Sequence, residues 1–299
     1  MSHDYVAIAL AYNKSVRIYA ANSTKLVAKA QKFHQTLPTA SAALGRFLTV
    51  TALMSLMDTN DERISIRIIG DGPIVNMTAE AKAGQVKGYI NNPNVYLVYE
   101  DGPKKGKLNV GAAVGSGLIY VTKHLGLKEP FTSSSELVSG EIGDDFTYYF
   151  AASEQIPSSV GLGVAVGPKN KILYAGGYIL QVLPNCPDDI IDKMEAIITN
   201  IPPITDLLKQ GLSPERIIGI LAGGTEEILE TKLIAYKCDC SKAKFKKSLE
   251  LIPIDALIEM RDEDHGAHIK CNFCNKEYDF TVDELTNIIH KKQKNSKER

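Results

Sequence analysis

The chain has 299 residues, 44% hydrophobic and 23% charged, with a formal net charge of −1. That balance excludes an intrinsically disordered chain and a dedicated polycationic nucleic-acid binder, and the length allows one large core plus smaller accessory units. Met1-Ser2-His3-Asp4 opens acidic and the apolar run over 5–10 is too short for an h-region, so no export signal is expected. The most apolar stretch, 40–57, carries Gly45 and Arg46 and reads as a buried helix, not a membrane span.

In chain order, 5–10 and 15–21 read as two strands of a hairpin turning at Asn13-Lys14. Thr24–His34 has Leu26, Val27, Ala30 and Phe33 at helical spacing. A helix capped near Thr39 or Ser41 should follow, running to about Met57 and stopping at Asp58-Thr59-Asn60. A strand over 63–69, a turn at Asp71-Gly72-Pro73, and strands over 74–79, 85–90 and 95–99 then form a meander. Further strands are expected over 108–113 and 117–122, a helix over 141–153, and long apolar strands over 160–166 and 172–183. The fold class expected is α+β: an N-terminal α/β domain (1–183) with a large, mostly antiparallel sheet and packed helices, a helical linker (184–235), and a small C-terminal zinc-binding domain (236–299).

In the linker, Pro187 precedes Asp188 and Asp189 at a helix start, Pro202-Pro203 breaks that helix, and Gly211 and Gly223-Gly224 end two more. Helices this short are marginal alone, so they must lean on neighbours. In the last unit Ser241 caps a Lys-rich helix, a second follows Pro253, a hairpin flanks Cys271 to Cys274, and Thr281-Val282-Asp283-Glu284 is a capping box for a final helix.

The chemistry concentrates in that unit. Cys238-Asp239-Cys240 and Cys271-Asn272-Phe273-Cys274 are two close cysteine pairs separated by thirty residues, the spacing a four-coordinate metal needs. Four soft thiolates point to zinc; no cluster-type spacing supports an iron–sulfur centre. His265 and His268 lie close by and read as flanking surface residues, with a three-cysteine, one-histidine set as the lesser option. The first pair lacks one residue of the usual Cys-x-x-Cys knuckle, so its sulfurs must come from extended or kinked backbone. Lys237, Lys242, Lys244, Lys246, Lys247, Lys270 and Lys276 crowd the site and would favour thiolates over thiols. Metal binding at roughly 10–16 kcal/mol could supply most of the stability of so small a unit.

No catalytic constellation emerges, and no enzyme is expected. The glycine-rich segments 111–117 and 161–167 lack Gly-Lys-Ser/Thr and do not run from strand into helix; Ser133-Ser134-Ser135 and Ser153-Glu154-Gln155 form no nucleophile elbow. His34 and His124 stand isolated, and Cys186 is a lone thiol at a helix start, where its pKa would be lowered.

With these residues in view, the chain resembles the 33 kDa redox-regulated heat-shock chaperone family, the oxidation-activated holdases. The resemblance rests on Pro38-Thr39-Ala40-Ser41-Ala42-Ala43-Leu44-Gly45-Arg46, Gly70-Asp71-Gly72-Pro73-Ile74, Val138-Ser139-Gly140-Glu141 and Asp145-Phe146-Thr147-Tyr148-Tyr149-Phe150. Ser153-Glu154-Gln155, Ala175-Gly176-Gly177-Tyr178 and the two cysteine pairs carry it further. The stretch 249–260 departs by lacking a Leu-Gly step, and Cys186 is additional. The resemblance implies a cytoplasmic, ATP-independent chaperone, inactive while Cys238, Cys240, Cys271 and Cys274 hold one zinc ion. On oxidation it would form Cys238–Cys240 and Cys271–Cys274 disulfides, release zinc, unfold its C-terminal region and bind unfolding proteins, as a homodimer. Spacing alone leaves all three pairings open. The alternative class is a zinc-ribbon nucleic-acid binder using Lys242 to Lys247 on phosphates, with steeply salt-dependent affinity.

Overall fold

The structure, a computed structural model, describes residues 3–57, 63–124 and 129–297. The chain divides into two compact units, Met1–Lys237 and Cys238–Arg299.

In the first unit, β1 (Tyr5–Ala11) and β2 (Val16–Asn22) pair through a turn with Tyr12, Asn13 and Lys14 all in the left-handed region. α1 (Thr24–His34) and α2 (Pro38–Met54) follow. Proline suits the first position of α2 because that amide has no intrahelical acceptor to lose. α2 is buried almost all round, the signature of a central core helix. Gly45 permits this: a Cβ there would lie 2.6 Å from Val27 of α1 and 2.8 Å from Val164. The expected stop at Asp58-Thr59-Asn60 lies outside the described residues.

β3 (Arg63–Gly70), β4 (Asn76–Lys82), β5 (Gln85–Ile90), the short α3 (Val110–Val114), β6 (Gly117–His124), β7 (Phe131–Glu136), α4 (Gly143–Ala152), β8 (Ser158–Val166) and β9 (Ile172–Val182) come next. Then come α5 (Asp188–Asn200), α6 (Ile204–Lys209), α7 (Pro214–Leu221), β10 (Glu227–Leu233) and β11 (Ala235–Tyr236). The strands form a five-stranded sheet, ordered β10-β1-β2-β9-β8, and a six-stranded sheet, ordered β11-β5-β4-β3-β6-β7. Among the described pairings in these sheets only β11–β5 is parallel, so the antiparallel expectation holds.

One apolar core joins α1, α2 and α4 to the inner faces of both sheets, through residues such as Phe47, Leu48, Ile66, Val121 and Phe146. A second lies on the other face of the five-stranded sheet. There Ala7, Ala9, Val16, Ile18 and Leu180 meet Met194, Ile204, Leu207, Leu208, Ile217, Ile218 and Leu221 of α5–α7. This explains why β1 is apolar without alternation: it is covered on both faces. The connector helices therefore lean on the sheet, as their length requires. Hydrogen bonds fasten them too: Tyr5 donates to Glu215 at 2.9 Å, and Tyr12 donates to the Leu221 carbonyl at 3.4 Å.

Several local expectations need correction. Residues 108–113 are not a strand: the Asn109 side chain accepts from the Ala112 amide at 3.0 Å and starts α3, an outcome a short apolar run of small residues cannot reveal. Residues 95–99 make only an isolated bridge, Val98 to Leu108. Ile74 and Val75 belong to the turn, with Val75 at φ 67° and its carbonyl accepting from Gly70, so β4 starts at Asn76. β7 was not anticipated, since its Ser-rich segment lacks an apolar stripe. Glu227–Leu233, read as part of a helical connector, and Ala235–Tyr236, at its expected boundary with the last unit, are strands paired with β1 and β5.

The second unit is built from α8 (Lys242–Leu249), α9 (Ile254–Asp262), the hairpin β12 (Ala267–Lys270) and β13 (Glu277–Phe280), and α10 (Val282–Lys297). Ser241 caps α8, accepting from the Lys244 amide. Thr281 and Glu284 form the expected capping box at 3.0 and 3.3 Å. Its buried core is small among the described residues: Leu249, Leu257, Tyr278, Phe280, Leu285, Ile288 and Ile289.

Candidate metal centre

Cys238 and Cys240 lie on irregular backbone just past β11, as the short spacing required. Cys271 follows the last residue of β12, and a tight turn brings Cys274 back beside it. The Cys274 and Asn275 amides donate to the Cys271 carbonyl at 3.3 and 2.8 Å, and the Cys271 amide donates to Lys276 across the hairpin mouth. Asn275 closes the turn at φ 58°, a left-handed conformation that asparagine tolerates well.

The four Sγ atoms lie within 4.8 Å of one another. Cys238 and Cys271 sulfurs are 3.7 Å apart, and Cys240 and Cys274 sulfurs 3.4 Å. All are free thiols. A tetrahedral zinc with sulfurs at ~2.3 Å requires sulfur–sulfur edges of about 3.8 Å, so the donor set fits. Cys271 is buried and the other three are partly covered. The group holds cysteines only. His268 faces away in an exposed pair with Asp279, its Nδ1 2.6 Å from a carboxylate oxygen, which raises its pKa.

The sulfurs differ electrostatically. Burial pushes the Cys238 thiol well above its ordinary value, helped by bonds with its neighbour sulfurs. Burial opposes ionisation of Cys240 as well, but bonds from Tyr278, Cys274 and Cys238 outweigh it, so Cys240 is the sulfur held below the usual thiol range. Tyr278 Oη stands 3.2 Å from Cys240 Sγ. Sequence reasoning missed Tyr278; only its place on β13, four residues past Cys274, hinted at it. Of the seven lysines expected to crowd the site, two carry an acidic partner, Lys244 with Asp239 and Lys242 with Glu284, and Lys276 sits over the Tyr278 ring at 5.4 Å.

Cys186 lies apart, at the start of α5. The expected lowering of its pKa is reversed: burial and then the carboxylates of Asp189 and Asp188 push it up. None of the described helices is long and apolar enough to cross a membrane.

The family description "Hsp33 protein" matches residues 4–281. Among curated relatives, a 33 kDa chaperonin of Acholeplasma laidlawii is 53% identical over 289 residues, covering 97% of this chain and 99% of that protein. The 33 kDa chaperonin of Bacillus subtilis is 45% identical over 287 residues, covering 95% and 98%. The crystal structure of the 33 kDa chaperonin from Thermotoga maritima superposes with a TM-score of 0.90 at 33% identity, over 98% of this chain and 100% of that one. The coverage takes in both units and the four cysteines that close the second, and the chain belongs to the Hsp33 family.

Proposed function

We propose that this protein is a redox-regulated, ATP-independent holdase, active on unfolding client proteins when oxidised and silent when reduced. The observation that carries the reading is a four-thiol centre set in a unit whose own core is too small to stand comfortably without it. Cys238, Cys240, Cys271 and Cys274 would hold one zinc ion, which when bound supplies much of the folding energy of 238–299.

Oxidation removes that support. Two thiols and one peroxide give a disulfide and two waters: the sulfurs lose two electrons and two protons, and the peroxide O–O bond breaks. A disulfide sulfur is no longer an anionic ligand, so the metal-loaded and fully oxidised states exclude each other. We propose the pairs Cys238–Cys240 and Cys271–Cys274. Each closes a very short loop and returns little chain-entropy stabilisation, so the small unit unfolds.

The loss then travels along the chain through the two-residue β11 and the edge strand β10, whose side chains are all exposed, to α5–α7. Their apolar faces, together with Ala7, Val16, Ile18 and Leu180 beneath, become the surface that holds clients. The domains act as a core over 1–183, a releasable connector over 184–235 and a switch over 236–299. A cytoplasmic setting, where thiols stay reduced until stress, suits such a sensor. Dimerisation in the oxidised state would double the surface.

The test is light scattering from a thermally unfolding client without ATP, comparing zinc-loaded reduced protein with protein oxidised by peroxide at elevated temperature. Suppression by the oxidised form alone is expected. Equal behaviour of the two forms would reduce the cysteines to a structural staple. Hydrogen exchange across 184–235 should rise on oxidation, and unchanged protection there would refute the proposed route.

A further inference from the structure

Two of the segments singled out in the sequence, Pro38 to Arg46 and Val138 to Glu141, are untouched by the thiol chemistry, yet they meet at one place. Pro38, Ala42 and Arg46 of α2 and Glu141 ahead of α4 line a cavity of about 520 Å³ in the first unit, closed on another side by the loop carrying Tyr99, Lys104 and Lys107. That volume is within the range of small-molecule sites, about 300–1,000 Å³.

Three cations and one carboxylate line the cavity. Arg46 Nη1 donates to the Glu141 carboxylate and, at 3.1 Å, to its backbone carbonyl. The other Glu141 oxygen accepts from Tyr99 at 2.7 Å. Glu141 is thus fully engaged, and despite burial these bonds hold its pKa below the usual value. Arg46 is not satisfied in return: Nε is buried without a partner, and Nη2 makes no hydrogen bond among the described residues. Lys104 and Lys107 have no ion pair among the described residues; Lys104 sits 5.4 Å over the Tyr99 ring. Leu108, Val164 and Val166 supply an apolar wall.

We propose that this cavity binds a small phosphorylated organic molecule, its dianionic phosphate held by Arg46, Lys104 and Lys107 and its organic part against Leu108, Val164 and Val166. A guanidinium whose Nη2 is unused, beside two lysines, offers charge-assisted donors to a phosphate ester. The loop that carries the lysines closes on itself, the Tyr99 amide donating to the Lys107 carbonyl and the Gly106 amide to the Tyr99 carbonyl, and both lysine side chains are exposed, so they can be altered without touching the core.

The experiment is calorimetric titration of the reduced, full-length protein with phenyl phosphate, with inorganic phosphate and phenol as controls, and amide chemical shifts as the locator. One saturable phenyl phosphate site is expected, with shifts confined to 38–46, 96–108, 141 and 164–167. Inorganic phosphate should bind about tenfold more weakly or worse. The double substitution Lys104→Ala, Lys107→Ala should cost at least about tenfold in affinity with an unchanged thermal midpoint, since two charge-assisted bonds are lost. Raised salt should weaken binding. Absence of a saturable site, shifts elsewhere, or undiminished binding by the double variant would overturn the assignment. Equal affinity for inorganic phosphate would overturn its organic part.

Discussion

If metal binding and folding of 238–299 are one equilibrium, a cavity made away from the sulfurs must weaken metal affinity. Ile288 on α10 is 1% exposed, belongs to the small core, and contributes no ligand atom. Replacing a buried isoleucine by alanine costs about 2–5 kcal/mol. A core of this size leaves a net stability near zero once chain entropy is counted, against roughly 10–16 kcal/mol from a structural zinc. The unit should therefore be unfolded without metal and folded with it, in the parent protein as in Ile288→Ala. The whole destabilisation then appears in the apparent binding constant, a loss of about 30-fold to about 4000-fold at 1.4 kcal/mol per decade. Competition for Zn2+ against a chromophoric chelator, in reducing buffer, measures it directly. Were the metal-free unit already folded, the cavity would cost both states equally. Unchanged affinity of Ile288→Ala would then refute the coupling on which the switch depends.

Thr281→Ala removes the cap that accepts from the Glu284 amide, a loss of about 0.5–2 kcal/mol, so the same assay should report a fall of only about 2- to 25-fold. Gly70→Ala would place a Cβ 2.0 Å from the Val114 carbonyl oxygen, backbone that cannot yield, and should lower the urea unfolding free energy of the first unit by about 1–3 kcal/mol or more, leaving metal affinity untouched. The Tyr5–Glu215 bond gives the docking of α7 a pH window. Burial and the Glu215 partner push Tyr5 up to about 12, so its stabilisation is complete below the unfolded value of 10.0 and disappears as pH rises through the folded one. Burial tends to raise Glu215, but bonds from Ser213, its own backbone and Tyr5 outweigh it. That lowered pKa gives stability present above the unfolded 4.5 and lost as acid titrates the folded group. Exchange of the 214–222 amides, corrected for intrinsic rate, should accelerate between pH 10 and about 12, and Tyr5→Phe should abolish that alkaline step.

Features with a local cause could be read from the chain. Four cysteines at ligand spacing, Ser241 and Thr281 as caps, the prolines and glycines that punctuate α5–α7, and the two-sided apolar run of β1 each carry their reason within a few residues. The errors fell where local signals are ambiguous. Val-Gly-Ala-Ala-Val over Val110–Val114 has no period, and Asn109 decided it by a single side-chain bond. Phe131–Glu136 carries too few apolar residues to declare itself, and becomes a strand because β6 offers an edge.

What the sequence determined by itself was therefore the four-cysteine cluster, the layout of the small unit, and a connector unable to stand alone. Tertiary structure alone decided the rest. Glu227–Leu233 pairs with β1, more than two hundred residues earlier in the chain, because that edge had unpaired backbone groups to satisfy. Tyr278 singles out Cys240 because the β12–β13 hairpin carries its hydroxyl there. Arg46 and Glu141, 95 residues apart, line one cavity because α2 packs in the core and the chain ahead of α4 returns beside it.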